Sequence, residues 1–412
     1  MDNKRKIISS AQLTEWLHTA IHLQCAPEHE FLLEARDEEI AIPSKSARIH
    51  KIYIEPTTAC NLACKTCMRN AWSTSQGVMN PATFDRILDS VKQLSPLPSI
   101  FFGGYGEPLS HPHILKMIAS LRDVGARVEL ITNGILLDEK MSQAMIELRV
   151  DRIWVSLDGA RPESYGDVRV ANELPRLLKN LQTLCTLRLR TGHQLPNLGI
   201  AFVAMKRNIA DLQNVVDIGR KFGADHFSIS HVLAHTHELS KEILYDNIYI
   251  ESLPPSQYSP RIDLPRIPFS EQSGAFLQPF QNGYSSFTVG NQQINFGENH
   301  CPFIHRGSVS IRWDGKVSPC LPLLHHHQYY LENEIHQCYE HLVGDIATDS
   351  LSEIWQQSPY SEFRRKVLKF DFSPCVYCNS CDMAYDNLED CFGSEFPACG
   401  KCLWAQGIIR CP

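Results

Sequence analysis

The chain has 412 residues, room for two to three domains at about 150 residues each. Apolar residues make up 43% and charged residues 21%, the proportions of a globular protein and not of a disordered one. A net charge of −7 counts against nucleic acid or an anionic membrane as the main partner, and no apolar run approaches the roughly 18 residues a bilayer requires. The first residues are basic but lead into a polar amphipathic stretch, so the expectation is a cytoplasmic protein without a secretory signal.

In chain order, Ala11–Leu23 carries Leu13, Trp16, Leu17, Ala20 and Ile21 at helical spacing, and Phe31–Ile42 reads as a short hairpin. From about 51 to 232, β-rich runs alternate with helical ones. The strand candidates are Lys51–Ile54, Ser99–Phe102, Arg127–Ile131, Arg152–Ser156, Leu198–Val203 and His226–Ser230. Between them the pattern predicts helices over Pro81–Gln93, His113–Val124, Glu139–Leu148, Glu173–Arg188 and Asp211–Phe222; in the first, Phe84, Ile87, Leu88 and Val91 form one apolar stripe. Six βα units imply an α/β fold with a parallel sheet, here a partial (β/α)6 TIM-like barrel; periodicity equally admits an open doubly wound sheet. Ser252–Asn299 is rich in Pro, Ser, Gln and Asn and reads as an irregular bridge. A cysteine-dense second domain follows, with one helix near Leu351–Val367. The expected boundaries are 1–49, 50–232, 233–300 and 301–412.

Cysteine is the unusual residue: there are 15, and 12 of them fall into two bursts. A chain this long needs no disulfide staples, which favours metal ligation. The first burst is Cys60-Asn-Leu-Ala-Cys64-Lys-Thr-Cys67, directly after the first strand. Three thiolates on one loop can hold three corners of a cubic iron–sulfur cluster and leave the fourth iron open to a substrate. The competing reading is a zinc site lacking one ligand, or a loop of unpaired thiols. Strand two ends in Gly103-Gly-Tyr-Gly106-Glu107-Pro and strand four in Ser156-Leu-Asp158-Gly. Ligands bind at the carboxyl ends of parallel strands, so these segments converge on one mouth. Glycines let backbone approach a ligand, and Glu107 can accept hydrogen bonds from an ammonium; taken singly, each segment is also compatible with a tight turn or a helix cap.

Together these residues resemble the radical S-adenosylmethionine (SAM) superfamily, over roughly 50–232. The resemblance implies a [4Fe–4S] cluster on Cys60, Cys64 and Cys67, with SAM chelating the open iron. It implies that Gly103, Gly104, Gly106 and Glu107 meet the methionyl amino group, Ser156 and Asp158 the ribose, Arg169 the carboxylate and Asn208 the nucleoside. Thr66 departs from the family pattern, which has an aromatic residue before the third cysteine.

The second burst comprises Cys301, Cys320, Cys375, Cys378, Cys381, Cys391, Cys399, Cys402 and Cys411. Cys375-x2-Cys378 and Cys399-x2-Cys402 also have zinc-ribbon spacing, and that alternative stays open. The arrangement resembles the SPASM extension of radical SAM enzymes, through Cys301, Trp313-Asp-Gly315, Cys320, Leu351-Ser-Glu-Ile-Trp355 and the cysteine triplet. This implies one or two auxiliary [4Fe–4S] clusters. Only two residues separate Cys378 from Cys381 where the family has five, so which thiolate serves which cluster stays open. The tail, Glu389-Asp-Cys-Phe-Gly to Cys399-Gly-Lys-Cys-Leu-Trp, is similar to that of maturases accompanying tungsten–pterin (aldehyde ferredoxin) oxidoreductases.

By this resemblance the protein cleaves SAM reductively to a 5′-deoxyadenosyl radical that abstracts hydrogen. It draws electrons from a reductant such as ferredoxin or flavodoxin and acts on a protein, a peptide or a pterin cofactor. Maturation of a tungsten–pterin oxidoreductase or its cofactor is the first reading, peptide or protein maturation the second, and a non-catalytic metal-binding or electron-transfer module the third. Leu321 stands where sulfatase maturases tend to have an acidic residue. The histidines between 300 and 341, His325-His-His327 among them, read as a polar solvated loop, and Cys25, Cys185 and Cys338 as small buried apolar residues.

Overall fold

The six β-rich runs become six parallel strands. They are β1 (Lys51–Ile54), β2 (Ser99–Phe102), β3 (Val128–Thr132), β4 (Arg152–Ser156), β5 (Asn197–Ala204) and β6 (Ala224–His231), side by side in that order. The computed structural model describes residues 48–72, 76–169, 172–245, 300–331, 333–373 and 381–412, with five short strands outside these ranges. The anticipated helices are α1 (Pro81–Lys92), α2 (Ile114–Asp123), α3 (Glu139–Glu147), α5 (Leu174–Thr191) and α6 (Leu212–Lys221). In α1, Asn80 caps the first turn by accepting the Thr83 N–H, Pro81 opens it, and Phe84, Ile87 and Val91 are buried. A further helix, α4 (Pro162–Arg169), escapes the sequence pattern. It is only eight residues long, and its buried set of Tyr165, Val168 and Arg169 is too short and too polar to show a helical period.

The sheet continues past β1. Strand β7 (Ser308–Ile311) pairs in parallel with the free side of β1, and β8 (Lys316–Ser318) and β11 (Gly344–Asp345) follow antiparallel. The nine-stranded order is β11-β8-β7-β1-β2-β3-β4-β5-β6, an open sheet and thus a partial barrel. Both faces are buried, as a parallel sheet requires. Ile52, Ile54, Ile100, Phe102, Val128, Leu130, Ile153 and Val155 form one face. On the other, Tyr53, Phe101 and Trp154 pack with Phe303, Cys320, Leu321, Leu323 and Leu324, and with Trp404 and Cys411 from the tail. The cysteine-dense region therefore fills the concave side of the barrel.

Between β8 and β11 lies the hairpin β9 (His327–Leu331) and β10 (Glu334–Cys338). The single helix expected near Leu351–Val367 is two, α7 (Leu351–Gln356) and α8 (Ser358–Lys369). Gln357 breaks it with ψ 135°, because Ser358-Pro359 opens α8 and a helix rarely runs unbroken into such a start. The same compact unit holds residues 49–246 and 298–412; a second unit comprises 1–48 and 247–297. In that second unit Glu34–Arg36 pairs antiparallel with Glu39–Ala41, within the expected hairpin. Arg261–Leu264, Ser286–Val289 and Gln292–Gln293 form a three-stranded sheet where an irregular bridge was expected. Strands of two to four residues are too short to register as a period in sequence. The helix expected over Ala11–Leu23 lies outside the described residues. Among those described, no helix is long and apolar enough to cross a membrane.

Candidate functional site

Because β1–β6 are parallel, the segments after them gather at one end of the sheet. The loop after β1 carries Cys60, Cys64 and Cys67, and each thiol has its own N–H donor. Leu62 N–H lies 3.4 Å from Cys60 Sγ, Arg69 Nε 3.2 Å from Cys67 Sγ, and Arg169 3.5 Å from Cys64 Sγ. The Arg69 guanidinium also feels the charge of Cys60 and Cys64, and its remaining donors hold the loop carbonyls of Thr58 and Leu62. Burial pushes the Cys60 thiol up, against the pull of the Leu62 N–H and of Arg69. Among the described residues no group of three or more His, Cys, Asp or Glu is placed to hold a single metal ion. Three separately N–H-bonded thiols on one short loop suit the corners of a larger iron–sulfur group.

The loop after β2 lies against this one. Glu107 N–H donates to Ala59 O at 2.8 Å, and a Cβ on Gly106 would stand 2.0 Å from Thr57 O. Gly104 has φ +114° and packs on the Glu55 side chain, so both glycines are steric necessities here. The buried Glu107 carboxylate accepts from Leu109 N, Thr132 Oγ1 and Asn133 N at 3.0, 2.7 and 2.7 Å. Burial pushes its pKa up, against the pull of these three bonds and of Arg169. A carboxylate has about four lone-pair sites, so one acceptor position remains for a ligand.

After β4, Asp158 is fully buried; it accepts Val203 N–H at 2.8 Å and pairs with Arg169. Arg169, at the end of α4, bridges that carboxylate and Cys64, while its Nε is buried without a partner. Asn208 spends its side chain on Met205 N, Asp158 O and Val203 O. Ser156 ends β4 at the same mouth. All the sequence-designated residues of the first half thus meet in one place, but Asp158 and Asn208 face protein.

Sequence reasoning missed a link between the two halves of the chain. Glu55, fully buried at the end of β1, accepts Tyr105 N–H on one oxygen at 3.1 Å. Its other oxygen lies 2.8 Å from Nε2 of His325, also fully buried. Tyr105 OH donates to Leu321 O at 3.1 Å, and the rings of Trp72 and Tyr105 lie 4.3 and 5.7 Å from the imidazole. The expectation of a solvated histidine loop is therefore wrong: His325, His327 and His336 are buried. His325 and His336 find their partners, Glu55 and Ala384 O, in distant segments, which a local run of polar residues does not reveal, whereas His327 contacts the nearby His325 O.

The second cysteine site is a largely apolar pocket whose lining includes Cys301, Cys320, Cys338, Cys399 and Cys402. Cys338, read from sequence as a small apolar filler, stands in this wall. Cys301 accepts Ile304 N–H at 3.4 Å, and Cys411 beside the same core accepts Trp404 Nε1–H at 3.3 Å. Burial raises the thiol pKa of all five lining cysteines, that of Cys301 to about 12. Thiolates in such a cavity need positive charge beside them, which metal ligation supplies, so the donor set fits an iron–sulfur group. Cys381 and Cys391 are exposed and line a different part of the surface, and Cys375 and Cys378 lie outside the described residues. In iron-free protein at pH 8, Cys301 should be only about one part in ten thousand thiolate. Iodoacetamide should then label Cys381 and Cys391 long before Cys301, Cys320 or Cys402, as read by peptide mass spectrometry.

Two family profiles match the chain: the Radical SAM superfamily over residues 54–199 and SPASM, an iron–sulfur cluster-binding domain, over 301–382. The tungsten-containing aldehyde ferredoxin oxidoreductase cofactor-modifying protein of Pyrococcus furiosus is 28% identical, over 88% of this chain and 96% of its own. A probable GTP 3′,8-cyclase of Methanococcus maripaludis is 25% identical over 66% of this chain and 85% of its own. Among solved structures, Streptococcus suis SuiB bound to its precursor peptide SuiA superposes with a TM-score of 0.52 at 15% identity, covering 81% of this chain and 70% of that one. The enzyme anSMEcpe with bound AdoMet superposes with 0.51 at 17% identity, covering 82% and 84%. These two likenesses establish the fold.

Proposed function

This chain belongs to the radical SAM superfamily and carries a SPASM domain, and from that premise we propose that it matures a tungsten–pterin oxidoreductase or its cofactor in a reducing cytoplasm. The near full-length match to the P. furiosus cofactor-modifying protein carries this reading. In it, Cys60, Cys64 and Cys67 hold the SAM-binding [4Fe–4S] cluster, and Cys301, Cys320, Cys399 and Cys402 belong to an auxiliary one. Bound there, the cluster and SAM would supply one-electron chemistry for hydrogen abstraction from the substrate.

The chain's own residues orient SAM and keep water out. The backbone of Gly103, Gly104 and Gly106 lets the methionyl group lie close, and the last free acceptor site of Glu107 takes one ammonium N–H. Arg169, with its unbonded Nε, meets the carboxylate, and Ser156 the ribose. Asp158 and Asn208 act from behind: one fixes the Arg169 guanidinium, the other fixes the turn after β5. A small reductant of the ferredoxin or flavodoxin class delivers the electron.

Two measurements test this. Anaerobically reconstituted protein given SAM and dithionite should form 5′-deoxyadenosine; no product from wild type would overturn the enzyme assignment. Deletion of the gene should leave a host's tungsten oxidoreductase inactive, with an altered pterin by mass spectrometry. An unchanged oxidoreductase in that strain, with a modified short peptide missing instead, would replace the first target by peptide maturation.

A further inference from the structure

The buried pair of Glu55 and His325 joins residues 270 positions apart and belongs to none of the motifs above. Glu55 sits between the cysteine loop and the glycine loop. One of its oxygens takes the Tyr105 N–H, which lies between Gly104 and Gly106, and its Cβ and Cγ fill the space against Gly104. His325 arrives from the stretch five residues beyond Cys320, a wall residue of the auxiliary cavity. Tyr105 closes the circuit by donating its hydroxyl to Leu321 O.

The other buried histidines rest on backbone: His111 contacts Met79 O at 2.9 Å through Nε2 and accepts His113 N–H at 3.1 Å through Nδ1, while His327 and His336 contact the carbonyl oxygens of His325 and Ala384. In His325, among the described residues, Nδ1 is buried without a partner and the hydrogen-bond partner of Nε2 is the Glu55 carboxylate, a side chain and not backbone. Both groups are fully buried, so their contact is shielded from water, where a hydrogen bond is electrostatically stronger than at the surface.

We propose that His325 is a positioning residue for SAM: acting through Glu55, it holds the Tyr105 segment of the glycine loop in its binding conformation and so ties SAM affinity to the auxiliary-cluster region. The inference rests on the reading that Gly103–Glu107 binds SAM. Tyr105 is held at both ends, its backbone N–H by the Glu55 carboxylate and its hydroxyl by Leu321 O.

The test uses the full-length, anaerobically reconstituted protein, with iron content confirming that each variant is loaded. The readouts are equilibrium binding of SAM and the change that SAM produces in the EPR spectrum of the dithionite-reduced cluster. Loss of a hydrogen bond to a charged group predicts that His325→Phe, which keeps the ring but not the donor, binds SAM about tenfold more weakly. Glu55→Ala, which also removes the acceptor of the Tyr105 N–H, should weaken it at least as much, and the double variant no more than Glu55→Ala alone, since His325 acts only through Glu55. His325→Gln, whose amide N–H can replace Nε2–H, should recover most of the affinity and the EPR change. Wild-type affinity in His325→Phe, or a double variant showing the full product of two losses, would overturn the coupling. Glu107→Gln separates the two levels. Undiminished SAM binding there overturns the loop assignment itself, whereas diminished binding there with normal His325→Phe overturns only the role of His325.

Discussion

Gly106→Ala is expected to abolish SAM binding and to destabilise the protein by about 3 kcal/mol or more. The added Cβ would lie 2.0 Å from Thr57 O, 2.7 Å from its carbonyl carbon and 2.8 Å from Ala59 O. These are backbone atoms of the cysteine loop, so no rotamer change relieves the clash. The two loops must separate, which breaks the Glu107 N–H to Ala59 O bond and moves the carboxylate that is to meet the SAM ammonium. Gly192→Ala is the matched control. Its Cβ meets nothing within 4 Å, and only its φ of +68° is unfavourable. That substitution should cost about 1 kcal/mol and leave SAM binding unchanged. Thermal unfolding and anaerobic SAM titration of both variants decide the matter; normal SAM affinity in Gly106→Ala would remove the glycine loop from the site.

The other large effect is expected from Cys64→Ala. This is the most buried thiol of the first loop, and the Arg169 guanidinium rests on it as well as on Asp158. Losing the sulfur takes away one corner of the cluster and leaves a buried cation with one partner fewer. About four irons per chain should disappear, together with all 5′-deoxyadenosine formation, while iron in the auxiliary region stays. Cys185→Ala, on the outer helix α5, should change neither iron nor product. A Cys64→Ala protein that kept its full iron count and still cleaved SAM would place the reactive cluster elsewhere.

How far each feature could be read from sequence follows from the range of the forces that make it. Apart from α4, the strands and helices of the barrel were legible within about three residues, because Phe84, Ile87 and Val91, or Ile52 and Ile54, carry their burial pattern in their own spacing. The cysteine and glycine loops were legible because chemistry concentrates unusual residue types in a few positions. What escaped depends on contacts between distant segments. Cys338 joins the auxiliary cavity through the β9–β10 hairpin, and Glu55 finds His325 only once the sheet has formed. The break at Gln357 needed attention to Pro359, a local signal overridden by the apolar stripe on both sides of it.

The pairing of β7 with β1 also has a consequence in time. Lys51–Ile54 is made early, whereas its neighbour Ser308–Ile311 leaves the ribosome roughly 250 residues later. At about 5–20 residues per second, that flank of the nascent sheet stays open for about 10–50 seconds. Over that interval Tyr53, Phe101 and Trp154 lack their cover from Phe303, Leu321 and Leu323. Until the C-terminal region arrives, these aromatic side chains are an exposed apolar face, so the order of synthesis makes the nascent barrel a client for chaperones.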